Sequence, residues 1–301
     1  MDKPGNSALV DRLVSAGVLR EFSARDPQPV VAEGRFVVRR MLSLPEWRLR
    51  ELLLTEAAER ALRDDLVRVE PARRPVVQLL DPAELNRLSG FNFHQGCLGF
   101  ADRPAMRDWR ELDLAGSGVP GFRGSEVRFS DTKNLGTEPR NPGTSEPRNP
   151  LIVLESVRDP DNVGSIFRSA LGFGARAVLL SPGCADPLYR KTVRTSMAAV
   201  LALPFAEATP WPGMLDQLRA AGFTIVALTP EASAEPLPSA AVSLSSERLA
   251  LVAGTEGDGL SPAALAAADR RVRIPMQLAL DSFNVATAVS IALYALSTGT
   301  R

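Results

Sequence analysis

Apolar residues recur at helical spacing over residues 35–42, and a short apolar run of strand length follows at 49–54. Residues 76–80 read as a buried strand, and Asp81-Pro82 then opens a helix with a cap and a proline in its first turn. These elements predict a small α/β unit ending near Asp102. From residue 151 onward the pattern alternates: strands are predicted at 151–154, 177–180, 224–228, 249–253 and 272–274, with amphipathic helices between them. Asp186-Pro187 and Ser261-Pro262 each supply a capping side chain followed by proline and mark two of the helix starts. Such alternation predicts a parallel sheet covered by helices on both faces, with ligands bound at the carboxyl ends of the strands.

Residues 103–150 break the pattern. They carry few apolar residues and end in a direct repeat, Glu138-Pro139-Arg140-Asn141-Pro142 and then Glu146-Pro147-Arg148-Asn149-Pro150. Proline at that density removes backbone donors and blocks helix, so an extended, solvated linker is predicted. The Gly-x-Gly-x-x-Gly from Gly116 to Gly121 contains Pro120, follows no strand and opens no helix, so it is not read as a dinucleotide site. The expected organisation is therefore a domain at 1–102, a linker at 103–150 and a larger domain at 151–301.

Composition narrows the function. The 301 residues are 45% hydrophobic and 23% charged, as in a globular chain long enough for two cores. No apolar run approaches the roughly 20 residues of a membrane span, and no apolar core follows Lys3 as in a secretory leader. Cys97 and Cys184 are too few for a disulfide framework and have no partners for a zinc site, so no metal and a reducing, cytoplasmic setting are expected. The formal net charge is zero, from 35 basic and 35 acidic residues, which disfavours indiscriminate attraction to polyanions. Only Lys3, Lys133 and Lys191 are lysine; the other basic residues are arginine, the side chain that best matches phosphate. GC-rich coding explains that excess more simply than selection for RNA binding does.

Three loops of the C-terminal domain carry candidate chemistry. After the first strand, Glu155 to Asn162 leads into a helix where Val163, Ile166, Phe167, Ala170 and Leu171 form a buried stripe. Gly164 and Arg168, four apart, share another face, where a ligand or a second chain can approach. A second strand runs into Gly254-Thr255-Glu256-Gly257-Asp258-Gly259-Leu260, whose glycines suggest a backbone bent around a ligand. It lacks the Gly-Lys-Ser/Thr ending of a P-loop, and its two carboxylates disfavour a triphosphate. The third loop runs from Ile274-Pro275-Met276 to Asp281-Ser282-Phe283-Asn284-Val285-Ala286; Ser282 can cap the following helix, with Asn284 in its first turn.

In order and spacing these segments resemble the three motifs of the SpoU/TrmH family of SPOUT-class RNA methyltransferases, over residue 151 to about residue 298. Upstream, 32–38 (Ala-Glu-Gly-Arg-Phe-Val-Val) and 93–96 (Phe-His-Gln-Gly) look like the ends of a ribosomal-protein-L30e-like RNA-binding domain. The resemblance implies an α/β fold in which a smaller L30e-like domain precedes a parallel-sheet SPOUT domain with a deep C-terminal knot. It implies a homodimeric enzyme that uses S-adenosylmethionine to methylate a ribose 2′-hydroxyl in rRNA or tRNA. Arg168 is then the catalytic arginine, supported by Asn162, with Glu256, Ser282 and Asn284 completing the site. The cofactor would be held by Leu228, Thr229, Gly254, Thr255, Glu256, Gly257, Ile274, Met276, Ser282, Asn284, Val285 and Ala286.

Methyl transfer from a sulfonium is an in-line displacement that needs a hydroxyl activated and aligned, without a metal or a covalent intermediate. Arginine, with a pKa above about 12, is rarely a free base. Two roles stay open for Arg168: electrostatic stabilisation of the developing alkoxide, or proton acceptance aided by a neighbouring RNA phosphate. The lone histidine, His94, belongs to the N-terminal domain and reads as a packing or surface residue. Leu278 stands where the family commonly has glycine, and Phe283 where it has leucine. A non-catalytic RNA-binding or ribosome-assembly factor that kept the fold is the alternative. Either would hold RNA through a local arginine surface, for which Arg35, Arg39, Arg40, Arg48, Arg50, Arg73 and Arg74 are candidates.

Overall fold

The computed structural model describes residues 29–89, 96–112, 114, 149–244, 247–255, 257–277 and 282–298. The chain divides into two compact units: Met1–Ala105 with Asp186–Leu201, and Met106–Ala185 with Ala202–Arg301.

In the first unit, β1 (Val30–Glu33), α1 (Arg35–Ser43), β2 (Leu49–Leu54), α2 (Glu56–Arg68), β3 (Val76–Leu79), α3 (Pro82–Ser89) and β4 (Cys97–Ala101) build a mixed sheet of order β1-β4-β2-β3. β4 runs antiparallel to β1 and β2, and β3 runs parallel to β2. Helix α1 buries Val37, Val38 and Met41, as its spacing predicts. The Thr55 side chain accepts a hydrogen bond from the Ala58 N–H and so caps α2, while Asp81 does the same for α3 through the Glu84 N–H. β3 is not the buried strand expected at 76–80. Val76 and Leu79 are 59% and 57% exposed, because the branched side chains that favour a strand here lie on the open edge of the sheet.

The segment Asp186–Leu201 belongs to this unit. Arg190 and Arg194 from its helix (Arg190–Thr195) converge on the buried Glu33 carboxylate at 2.8 and 3.4 Å, and the Trp47 indole donates to the Leu201 carbonyl. Asp186-Pro187 opens a turn rather than a helix, the Asp186 side chain accepting from the Leu188 N–H, and the helix starts at Arg190. The expected arginine surface is largely committed internally. Arg39 pairs with Asp65 and Arg50 with Asp102, while Arg73 and Arg74 hold backbone carbonyls. Arg35 and Arg48 stay exposed without an ion pair among the described residues.

Among the described residues the second unit has seven strands: β5 (Leu151–Glu155), β6 (Ala177–Leu180), β7 (Phe205–Glu207), β8 (Thr224–Leu228), β9 (Glu235–Pro236), β10 (Leu249–Gly254) and β11 (Arg270–Arg273). They form one sheet of order β7-β6-β5-β10-β8-β11-β9, parallel at every pairing. Its helices are α4 (Pro160–Gly172), α6 (Met214–Ala220), α7 (Leu237–Ser243), α8 (Pro262–Ala267) and α9 (Val285–Thr298), α5 being the Arg190–Thr195 helix above. Leu151, Val153, Leu179, Ile225 and Val252 meet Met214, Leu215 and Leu218 of α6 and Ala264 of α8 in one core. Helix α4 buries the expected Val163, Ile166, Phe167 and Ala170, and packs against α9. The chain grows from β5 outward to β6 and β7, then crosses to β8 and returns β10 beside β5, so the order reverses at the β5/β10 seam.

The parallel α/β architecture is the one expected for residues 151–301. Strands at 177–180 and 224–228 match expectation, whereas 272–274 shifts back to Arg270–Arg273. Within 103–150, Trp109, Leu112 and Leu114 are not solvated but buried in the second unit's core, and the Trp109 indole donates to the Thr209 carbonyl. The direct repeat up to residue 148, the segment Gly116 to Gly121, His94 and residues 278–281, including Leu278 on the stretch leading to the expected knot, lie outside the described residues. Among the described residues, no helix is long and apolar enough to cross a membrane.

Candidate active site

The site lies at the carboxyl ends of β8, β10 and β11. After β8, the Thr229 N–H donates to the Val272 carbonyl at 3.0 Å and fixes the first turn of the loop. After β10 the backbone doubles back: Thr255 and Gly259 pair as an antiparallel bridge, and the Gly259 N–H donates to the Thr255 carbonyl at 3.1 Å. Gly254 makes this possible. A Cβ there would sit 2.2 Å from the Gly259 oxygen and 2.6 Å from the Leu260 nitrogen, both backbone atoms that cannot swing aside. The glycine therefore lets the loop return on itself and bends the backbone around the cavity whose wall it joins. Gly259 has φ +68°, the left-handed conformation that favours glycine, and Ser261 then caps α8 through the Ala264 N–H.

These loops enclose a cavity of about 410 Å³. Of the residues expected to hold a cofactor, Leu228, Thr229, Gly254, Thr255, Gly257, Ile274, Met276, Ser282 and Val285 all line it. Glu256 lies outside the described residues. Asn284 and Ala286 are not in the wall. Asn284, rather than Ser282, caps α9: its Oδ1 accepts from the Ala286 and Thr287 N–H groups at 3.0 and 3.2 Å, while Nδ2 donates to Asn162 Oδ1 at 2.9 Å. Ser282 is freed to face the cavity. The sequence reading missed Glu231 and did not count Asp258 among the cofactor residues; both carboxylates are in the wall, the first ion-paired with Arg271 at 3.3 Å. Phe283 also lines the cavity, so the departure from leucine falls on its wall.

The Asp159 side chain accepts from the Asp161 N–H and Pro160 follows at the first helical position, which places Asn162 in the first turn of α4. Asn162 is buried, and so is Gly164, whereas Arg168 is exposed on the helix. Arg168 does not line the cavity and has no ion pair or hydrogen bond among the described residues. The structure thus joins Asn162 to Asn284 and gathers the cofactor-loop residues, but leaves Arg168 outside their cavity.

A family model of the SpoU rRNA methylases matches residues 149–294. An uncharacterized tRNA/rRNA methyltransferase of Mycobacterium tuberculosis is 39% identical over 268 residues, covering 88% of this chain and 79% of that protein. The chain belongs to the SpoU/TrmH family of RNA methyltransferases. Within the family, the 23S rRNA (guanosine(2553)-2'-O)-methyltransferase RlmP of Bacillus subtilis is 32% identical over 148 residues, 48% of this chain and 57% of its own. An AdoMet-bound rRNA methyltransferase from Sinorhizobium meliloti has the same fold, with a TM-score of 0.70 at 22% identity over 96% of this chain and 94% of its own.

Proposed function

We propose that this SpoU/TrmH-family methyltransferase uses S-adenosylmethionine to methylate a ribose 2′-hydroxyl of structured rRNA or tRNA, and that it acts as a homodimer. The observation that carries the reading is the convergence of the second and third motif loops, with the loop after β8, on one cavity of about 410 Å³, within the size range of cofactor pockets. The names of the Bacillus and Sinorhizobium relatives support the 2′-O position and the cofactor. The wall fits such a ligand. Leu228, Ile274 and Met276 offer apolar surface, Thr255 and Ser282 bring hydroxyls, and the Asp258 carboxylate favours a cationic ligand over a triphosphate.

When bound, the cofactor supplies an electrophilic methyl group with a neutral leaving group. The protein's work is to align the ribose hydroxyl and to stabilise the negative charge that develops on it. Arg168 is assigned that electrostatic role. Its position outside its own chain's cavity and its exposure on α4 suit service to the cavity of a second copy. The helix packed against α4 supports such an arrangement: α9 contains no charged residue and leaves Tyr294 59% exposed, edge-on to Phe173 at 6.2 Å.

The test is methyl transfer from labelled S-adenosylmethionine into total rRNA and tRNA, followed by mapping of the 2′-O-methyl position. Arg168→Ala is expected to lower the rate at least about 100-fold without weakening cofactor affinity. Mixing Arg168→Ala with Gly254→Ala should restore activity if each copy lends its arginine to the other. Undiminished transfer by Arg168→Ala overturns the assignment, and failure of the mixture to recover overturns the shared site.

A further inference from the structure

The mechanism above gives no role to Glu155, a carboxylate 6% exposed at the carboxyl end of β5. Its two oxygens are used separately. The Trp211 indole N–H donates to Oε1 at 2.6 Å, and the Ser261 backbone N–H donates to Oε2 at 2.8 Å. Trp211 belongs to the loop after β7, and Ser261 ends the loop after β10, so one side chain ties the ends of three strands together. Its backbone completes the arrangement, because Glu155 is the register partner of Gly254, where the β10 loop begins. One residue therefore holds the segment Gly254 to Ser261 at both ends, through the ladder at the start and through its carboxylate at the finish.

We propose that Glu155 is the positioning residue of the cofactor cavity, fixing the loop that supplies Gly254, Thr255, Gly257, Asp258, Gly259 and Leu260 to the wall; this rests on reading that cavity as the S-adenosylmethionine site. A carboxylate is the side chain the geometry requires. Both partners are N–H donors, so the residue must present two acceptor oxygens and no hydrogen. Charge assistance shortens and strengthens both bonds, and an apolar replacement would leave two donors without acceptors in a buried place. Glutamine has the same shape but a single acceptor, and its amide would meet one of the donors head on.

The decisive comparison is wild type against Glu155→Gln, with Trp211→Phe and Glu155→Asp alongside. In ligand-free protein, amide hydrogen exchange of residues 257–261 is expected to accelerate at least tenfold in Glu155→Gln while β5 and β10 keep their protection. The S-adenosylmethionine Kd, by calorimetry on folded protein, should rise at least about tenfold, with the KM for RNA at saturating cofactor unchanged. Trp211→Phe keeps the Ser261 bond and should weaken cofactor binding less than about threefold. Should Glu155→Gln not fold, Glu155→Asp, which keeps the charge but withdraws it by one methylene, is read in the same way. Wild-type exchange and wild-type Kd in a folded Glu155→Gln protein overturn the proposal, leaving Glu155 a stability residue. If the wild-type protein binds no S-adenosylmethionine, the functional reading fails, and the exchange comparison still decides whether Glu155 holds the loop.

Discussion

Asn284 and Asn162 share one hydrogen bond of 2.9 Å that links the first turn of α4 to the capping position of α9. Asn284 uses both ends of its amide, the oxygen to cap its own helix and the nitrogen to reach across. Serine or aspartate would serve as a cap, but neither carries a nitrogen donor that reaches Asn162. Asn284→Ala removes both functions and is expected to cost about 1–3 kcal/mol, from cap loss together with the lost hydrogen bond to Asn162. Asn284→Ser should cost less, the cap being kept. Urea unfolding of the two variants and of their combinations with Asn162→Ala gives the coupling directly; a zero coupling energy would show the bond to be incidental.

Gly254 and Gly259 carry glycine for different reasons and should respond differently to alanine. At Gly254 the added Cβ meets backbone at 2.2 Å, so the loop must move as a whole, and cofactor affinity should fall at least about thirtyfold. At Gly259 nothing lies within 4 Å and only the φ of +68° is offended, which costs about 1–2 kcal/mol of stability and leaves the cavity open. Calorimetric titration and thermal unfolding of the two variants separate the effects. Equal losses of affinity would contradict this distinction.

Met197 stands in the left-handed region at φ +51° with a side chain 44% exposed, so it carries the backbone penalty without full burial to offset it. Met197→Gly removes roughly 1–2 kcal/mol of conformational strain and adds about 0.5–1 kcal/mol of unfolded-state entropy. A net stabilisation of about 0.5 kcal/mol is expected in urea unfolding followed by a probe in the first unit. A destabilised variant would mean that the methionine side chain makes a contact worth more than the strain.

Burial pushes the Cys97 thiol up to about 12, Arg35 opposing weakly, and burial also raises Cys184. Near pH 8 the folded protein should therefore react slowly with a disulfide reagent at both cysteines and quickly once unfolded. The sign of the linkage follows. A thiol raised above its ordinary value of 9.0 loses no stability below that pH, whereas between 9.0 and about 12 the unfolded chain ionises first. Over that window this residue lowers stability by about 1.4 kcal/mol per pH unit, and Cys97→Ala should flatten the decline. Rapid native-state labelling of Cys97 would refute the burial argument.

Much of the second unit was legible because strands buried on both faces read as continuous apolar runs; 177–180 and 224–228 are examples. β11 was harder. Arg270 and Arg271 fell outside the strand expected at 272–274, yet they lie in it with Arg273, where Glu235, Glu231 and the Ala234 carbonyl satisfy the guanidinium groups. β9 has only two residues and takes its identity from its neighbour β11. Trp109, Leu112 and Leu114 were hidden in a proline-rich zone because their burial depends on the remote core they join. Much of the cavity wall was legible from the second and third motif loops and from Leu228-Thr229, while the first motif loop lies outside the wall. The roles of Asn284 and Glu155 were not, since each is decided by a partner more than a hundred residues away in sequence.

The first unit is assembled from two separate stretches of chain, with Glu33 on one and Arg190 and Arg194 on the other. The family match at 149–294 includes the second stretch and not the first. A fragment cut to the family boundary would carry Val193, Val200 and Leu201, buried in the intact chain, away from the sheet of the first unit. Conversely, a break in the chain between residues 115 and 148 would leave those complementary pieces on different polypeptides. Each fragment would then carry one side of the Glu33–Arg190 and Glu33–Arg194 ion pairs, which form only when the two meet, so the chain is suited to a fragment-complementation experiment.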